Sequence, residues 1–315
     1  MIIIPNFANI ETIRSFVFER VLNDDPFTHS SALLGTLPSP VTGDRSPAII
    51  RVERSPIAPN VATSLPGRLA KIKLIESTDI YSWLLGWLKN DVEVPDVKIN
   101  IIFPATEVHI RKYTKQSTLM VQETPEIYER IVKPYIASFP ASRTQWVEHI
   151  LRGVSEADKV LYRDDSPQYG FVLLPDMKWD LTNISTLYLV AISLNRGIRS
   201  LRDLKKEHLG MLRSIKSEAS RIVQEKWHLD PGCLRFFIHY QPSYYHFHVH
   251  IVNANYVGIP SMAAGQAHIL EDVISLLELS PDDGPTILEK MTFSYGLGDQ
   301  HGLFPLLHSS ESAES

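Results

Sequence analysis

The segment His246-Phe-His-Val-His-Ile-Val252 places imidazoles at every second position. On an extended strand alternate side chains point the same way. His246, His248 and His250 would then share one face, while Phe247, Val249 and Ile251 fill the core face. Three chemistries compete for such a row. It can be a polar sheet face bathed in water. It can be a metal site, but successive same-face Cα atoms lie roughly 6.6 Å apart and the outer two roughly 13 Å. One ion would take two of these imidazoles and not comfortably three, and no Cys or HExxH partner is near. Or it can be a nucleophilic site, in which a neutral imidazole attacks phosphorus and water hydrolyses the resulting phosphoramidate. Flanking imidazoles would orient the nucleophile, hold phosphate oxygens and pass a proton to the leaving group. Spacing alone leaves all three open, with the catalytic reading in front.

The elements that must position this row are read from periodicity. The runs 234–240 and 245–253 are expected to be strands, joined across Gln241-Pro-Ser243 as a hairpin. Segment 171–174 is expected to be a buried strand, and 187–194 and 205–227 are expected to be helices. A helical stripe over 145–162 runs through Trp146, Val147, Ile150, Leu151 and Val154, and 267–279 reads as an amphipathic helix. Upstream, 8–22 carries a helical stripe. Short strand-like pieces at 31–37, 48–53 and 69–75 lie among prolines that suit sheet edges and loops. A capped apolar helix is expected at 78–88 and a strand at 97–103. Between them and the histidine region, 106–135 is helical and charged, with weak amphipathicity and little core of its own. It reads as a connection. The organisation expected is therefore α+β: an N-terminal domain over 1–108 with an antiparallel sheet, a hinge over 109–135 and a C-terminal domain over 136–315.

With 315 residues, at roughly 150 per domain, two domains are expected, each able to bury a core. Apolar residues make up 44% and charged residues 21%, which excludes a largely disordered or fibrous chain. The net charge of −5 argues against a dedicated DNA binder. One cysteine, Cys233, permits no intrachain disulfide or Cys-rich zinc site. The best apolar run, 187–192, falls short of the roughly 20 residues of a membrane span. The opening Met1-Ile-Ile-Ile-Pro5 has no basic n-region or long apolar core, so no signal peptide is expected. A soluble intracellular protein is expected.

The row at His246, His248 and His250 is similar to the signature of the histidine-triad hydrolases and nucleotidyl transferases. The longer stretch Gln241-Pro-Ser-Tyr-Tyr-His-Phe-His-Val-His250 resembles one branch more closely, the scavenger mRNA decapping enzymes. The resemblance continues through Pro104-Ala-Thr-Glu-Val-His109, Gln145-Trp-Val147, Glu156-Ala-Asp158, Gly170-Phe-Val-Leu-Leu-Pro-Asp-Met-Lys-Trp179 and Arg196-Gly-Ile-Arg-Ser-Leu-Arg-Asp203. It covers 104–279 firmly and the N-terminal region in outline.

This resemblance implies a metal-free hydrolase without a cofactor. It would cleave the 7-methylguanosine cap dinucleotide and short capped RNA to 7-methylguanosine monophosphate and a diphosphate-ended product. His248 would be the nucleophile, with His246 and His250 holding and protonating around it and His239 bordering the phosphates. Methylation at N7 gives guanine a delocalised positive charge, which calls for an aromatic face and a carboxylate; Trp146 and Glu156 match those positions. Taken alone, Trp146 would be a core residue and Glu156 a solvated helix charge. Asp176 and Lys178, two apart and so on one side of an extended segment, match contacts to nucleoside and triphosphate. Taken alone they would be a surface ion pair. Ser243 and Tyr244 match positions near the phosphates. His109 and Lys112 match contacts from the N-terminal domain. Gln266 stands where some members carry a basic residue. The resemblance also implies a domain-swapped homodimer, an N-terminal domain that closes over a small cap, and a cytoplasmic site of action with a nuclear pool undecided. A broader dinucleoside-polyphosphate hydrolase and a catalytically weak cap-binding regulator stay open as alternatives.

Overall fold

A computed structural model describes residues 9–26, 28–39, 43–55, 63–89, 95–257 and 262–314, with side chains to residue 309. The chain forms two compact units that divide between Gln116 and Ser117. The division falls inside the stretch 109–135. From there Val121, Tyr128 and Val132 are buried in the core of the second unit. Both units mix helices with antiparallel sheets, as the α+β expectation required.

In the first unit β1 (Val17–Asp25), β2 (Ser30–Pro38), β3 (Arg45–Arg54) and β6 (Val97–Ile102) form a four-stranded sheet in the order β1-β2-β3-β6. The helix expected at 8–22 is cut to Ile10–Arg14, capped by Asn9, whose side chain accepts from the Glu11 N–H at 3.0 Å. Beyond it the chain pairs with β2 from Val17↔Thr36 to Asp25↔Ser30. That ladder outweighs the local helical stripe. The helix expected at 78–88 is likewise absent. β4 (Leu69–Thr78) and β5 (Tyr81–Leu88) make a hairpin whose residues are all exposed on this chain. Its Trp-, Tyr- and Leu-rich sequence is apolar on every side, so periodicity could not separate strand from helix.

The second unit is built on a six-stranded antiparallel sheet. Its order is β13 (Ala267–Ile269), β11 (Leu234–His239), β12 (His248–Asn253), β10 (Tyr188–Ser193), β9 (Phe171–Pro175), β8 (Tyr162–Asp164). Residues 187–194, expected as helix, are central strand β10, buried from Tyr188 to Ser193. A strand covered on both faces shows no alternation and mimics a buried helical run. One face carries Phe171, Leu173, Leu189, Ala191, Phe236, Val249 and Ile251, packed with Met211, Leu212, Ile215 and Ala219 of the helix Leu209–Trp227. The opposite face carries Val172, Leu174, Val190 and Ile192, covered by Val147, Ile150 and Leu151 of the helix Gln145–Leu151. That helix ends well short of residue 162. Gly153, at φ +68°, turns the chain out in a conformation that L side chains disfavour. The helix expected at 267–279 spans Leu270–Glu278, with β13 before it.

A small second sheet pairs β7 (Thr118–Glu123) with β14 (Phe293–Gly298). At the end of β7 the fully buried Glu123 carboxylate accepts from Arg202 Nε at 2.9 Å, Tyr240 Oη at 2.6 Å, Gln241 Nε2 at 2.9 Å and Tyr295 Oη at 2.8 Å. The Arg202 guanidinium also donates to the Leu288, Glu289 and Met291 carbonyls and lies against the Tyr128 and Phe293 rings. A buried ion pair holds when its remaining protons and lone pairs are satisfied in this way. Among the described residues no helix is long and apolar enough to cross a membrane.

Candidate active site

Strand β12 begins at His248, not at Tyr245, so the row of histidines is divided. His248 and His250 stand on the sheet face that also bears Val190 and Ile192 of β10, their register partners. Phe237 of β11 pairs with His250, and two residues on along the same face comes His239. The result is a cluster of His239, His248 and His250, with ring centroids 4.5 Å apart for His239–His250 and 4.8 Å for His248–His250. His246 precedes the strand and does not line the pocket. Its Nε2–H donates to the Ser193 carbonyl at 2.7 Å, while its own carbonyl accepts from His248 Nδ1–H at 2.7 Å.

That second bond fixes the His248 tautomer. A carbonyl can only accept, so Nδ1 carries the proton and Nε2 keeps its lone pair. Burial, aided by the neighbouring imidazoles and Lys178 and opposed by the hydrogen bond to His246, pushes the His248 pKa down to about 3. The ring is neutral at pH 7. Tyr244 stacks on it at 4.3 Å and 11°, and the Trp146 edge meets Tyr244 at 4.9 Å. His250, buried against Phe237 at 5.2 Å, has no hydrogen-bond partner on either ring nitrogen among the described residues. Burial holds it well below the usual histidine value. Burial also lowers His239, whose Nδ1–H donates to the Gln266 carbonyl at 3.3 Å, and His246.

Around these rings a pocket of about 840 Å³ opens, lined by Trp146, Glu156, Asp176, Lys178, His239, Ser243, Tyr244, His248, His250 and Gln266 among others. Most residues singled out in the sequence therefore meet in one place. Trp146 is on the second position of its helix and is 44% exposed, so its ring faces the pocket and not the core expected from the stripe. Glu156 lies off the helix, in the left-handed region at φ +55°, and pairs with Lys159 at 3.3 Å. Asp176 and Lys178 sit in a turn after β9 and not on an extended segment. Asp176 accepts the Lys178 backbone N–H at 2.9 Å, and Lys178 Nζ lies 5.1 Å from the Tyr188 ring centroid. The pair is brought to one rim by a side-chain-capped turn instead of strand alternation. Behind His246, Glu148 and Arg196 make a bidentate pair at 2.6 Å that holds the Glu148 carboxyl below its usual range.

His109 and Lys112 belong to the first unit, on the helix Glu107–Tyr113. There His109 Nδ1 accepts from the Thr106 N–H at 3.1 Å and closes a capping box, and Lys112 Nζ lies 5.8 Å from the Tyr113 ring centroid. The pocket also holds Arg143, Met177, Gln241 and His301, which sequence reasoning did not single out. Met177 lay inside a matched segment and is 95% exposed. Arg143 and His301 carried no signal, since neither shares a periodic element with the histidine row. Among the described residues no three His, Cys, Asp or Glu side chains converge as a metal-binding set.

Comparison with known proteins adds to this geometry. Residues 11–116 match the family model described as "Scavenger mRNA decapping enzyme (DcpS) N-terminal", and residues 145–262 match "Scavenger mRNA decapping enzyme C-term binding". The m7GpppX diphosphatase of Schizosaccharomyces pombe is 36% identical over 300 residues, 94% of this chain and 95% of its own. The human m7GpppX diphosphatase is 35% identical over 86% of this chain and 78% of its own, and that of Ascaris suum 35% over 87% and 88%. Likeness of this extent runs through both units, and the chain belongs to the scavenger mRNA decapping enzyme family.

Proposed function

We propose that this chain is an m7GpppX diphosphatase acting on the 7-methylguanosine cap dinucleotide and on short capped RNA, as a homodimer in the cytoplasm. The observation that carries the reading is the tautomer of His248. Its Nδ1–H is taken by the His246 carbonyl, so Nε2 offers its lone pair to the pocket that the residue lines. In this scheme Nε2 attacks the phosphorus attached to 7-methylguanosine. The P–O bond to the next phosphate breaks, and the nucleoside diphosphate leaves with that bond's electron pair. Water then cleaves the P–N bond, releasing 7-methylguanosine monophosphate and restoring His248. Lys178 offsets charge on the triphosphate, and Tyr244 keeps the attacking ring in plane. Trp146 and Glu156 supply the aromatic face and carboxylate that a cationic base requires.

The test is turnover of methylated and unmethylated cap dinucleotide, in EDTA, by the parent chain and by His248→Asn. The substitution keeps a polar side chain but cannot form the phosphoramidate, so turnover should collapse while cap binding survives. Transfer of labelled phosphate from the cap to His248 in a quenched parent reaction is expected. Near-normal turnover by His248→Asn would sink the assignment. Equal cleavage of both dinucleotides would favour a broader dinucleoside-polyphosphate hydrolase.

A further inference from the structure

Two basic groups on the pocket rim take no part in this scheme. Arg143 ends the turn Ala141–Arg143, with its guanidinium 4.9 Å from the Phe139 ring centroid. Arg163, Arg196, Arg202, Arg213 and Arg221 in the same unit are each held by carboxylates. Arg143 forms no ion pair among the described residues. His301 accepts the Leu303 N–H on Nδ1 at 3.1 Å, so the neutral ring carries its proton on Nε2 as a donor. Burial and the nearby Arg143 charge hold His301 below its ordinary value. Both residues line the same pocket as His248.

The rim between them and the histidines is continuous. Tyr240 N–H donates to the Gln266 carbonyl at 3.1 Å, Tyr245 Oη donates to Gln241 Oε1 at 3.1 Å, and the Tyr245 ring meets Phe139 at 5.0 Å, beneath Arg143. The amides between them are partly engaged. Gln241 Nε2 is bound to Glu123, and Gln266 Nε2 to the Gly296 carbonyl at 2.6 Å. An anion reaching this end of the pocket, away from Lys178, would meet the Arg143 guanidinium, unpaired among the described residues, and the His301 Nε2–H.

We infer that Arg143 and His301 form an anion subsite that receives a phosphate of the leaving nucleotide, an inference that rests on the proposed cap hydrolysis. The guanidinium is pre-placed by its stacking on Phe139, which limits the rotamer freedom lost on binding. The phosphate comes either from the triphosphate bridge or from the first internucleotide linkage of a capped oligonucleotide, and substrate length separates the two.

The experiment uses the full chain, Arg143→Ala, Arg143→Lys and His301→Ala. Calorimetry with guanosine diphosphate reads the subsite without turnover, and KM and kcat are measured for capped dinucleotide and trinucleotide. Arg143→Ala should weaken diphosphate binding about tenfold, the size of one charge-assisted hydrogen bond at a half-open site. It should raise KM more than it lowers kcat, and Arg143→Lys should recover part of the loss. His301→Ala should weaken diphosphate binding by a smaller factor. A KM effect on both substrates assigns the triphosphate, and one confined to the trinucleotide assigns the internucleotide phosphate. Diphosphate binding and KM unchanged in Arg143→Ala would overturn the subsite. A parent chain that binds diphosphate through Arg143 but leaves the cap intact would overturn the proposed hydrolysis and keep the subsite.

Discussion

Trp146 shows how far a single side chain could be read before the fold was known. Its position among Val147, Ile150 and Leu151 suggests core, yet its neighbours are buried while it stays 44% exposed beside Tyr244. Because its ring packs on Tyr244 and not in the core beneath the helix, Trp146→Ala should lower the melting temperature only modestly. If its ring stacks on a methylated guanine, the same change should weaken cap binding about tenfold or more, since a desolvated cation–π contact is worth up to about 2 kcal/mol. Fluorescence titration with methylated and unmethylated cap checks this, and an equal loss for both would count against the stack. The strand period put His248 and His250 on one face. It could not show that the strand starts at His248, so it counted His246 with them. His239 and His250 come within 4.5 Å only through the β11–β12 ladder, and Arg143 and His301 meet through folding of distant segments that no local pattern encodes.

Among the elements, the β4–β5 hairpin stands out physically. Trp83, Trp87, Leu84 and Ile80 are 49%, 45%, 48% and 78% exposed, and an isolated two-stranded hairpin is marginally stable in water. Large apolar side chains left exposed together on one hairpin fit burial against a second copy. Sedimentation should show the parent chain as a dimer, and Trp83→Ser with Trp87→Ser should shift it toward monomer by about tenfold or more in the dissociation constant. A monomeric parent would contradict the homodimer. Strand β7 at 118–123 also falls in a stretch, 106–135, that was expected to be helical, and three other mistaken segments, within 8–22, 78–88 and 187–194, share one cause. Each is short and apolar enough to satisfy a helical stripe, and each is decided by a partner strand. The long helix Leu209–Trp227 and the buried strand Phe171–Pro175 had no such ambiguity, because length settles one and flanking turns the other.

For the molecule as a whole, the buried histidines set an acid limit. His239, His246, His248 and His250 are all held below the ordinary value by burial. Below about pH 6.5 the unfolded chain takes up protons that the folded chain refuses, so stability is lost as pH falls from there. Each fully neutral buried imidazole contributes a slope of about 1.4 kcal/mol per pH unit, continuing for His248 toward its folded value of about 3. Urea midpoints measured from about pH 7 to about pH 5, above most carboxylate titration, should fall steadily, and His248→Asn should flatten the slope by about one proton. A midpoint independent of pH in that range would contradict it. The Glu123 hub has a different consequence, one that concerns the order in which the sequence can change. It ties β7 to Arg202, to the Tyr240–Gln241 bend and to Tyr295. Replacing either charged partner alone strands a buried ion at about 3–5 kcal/mol, a large share of a typical domain's stability. A lineage can therefore exchange Glu123 and Arg202 only together, whereas a change at Gln241 leaves three donors on the carboxylate and costs the Tyr245 hydroxyl its acceptor, a smaller penalty. Gln241 is open to stepwise substitution, and the ion pair beneath it is not.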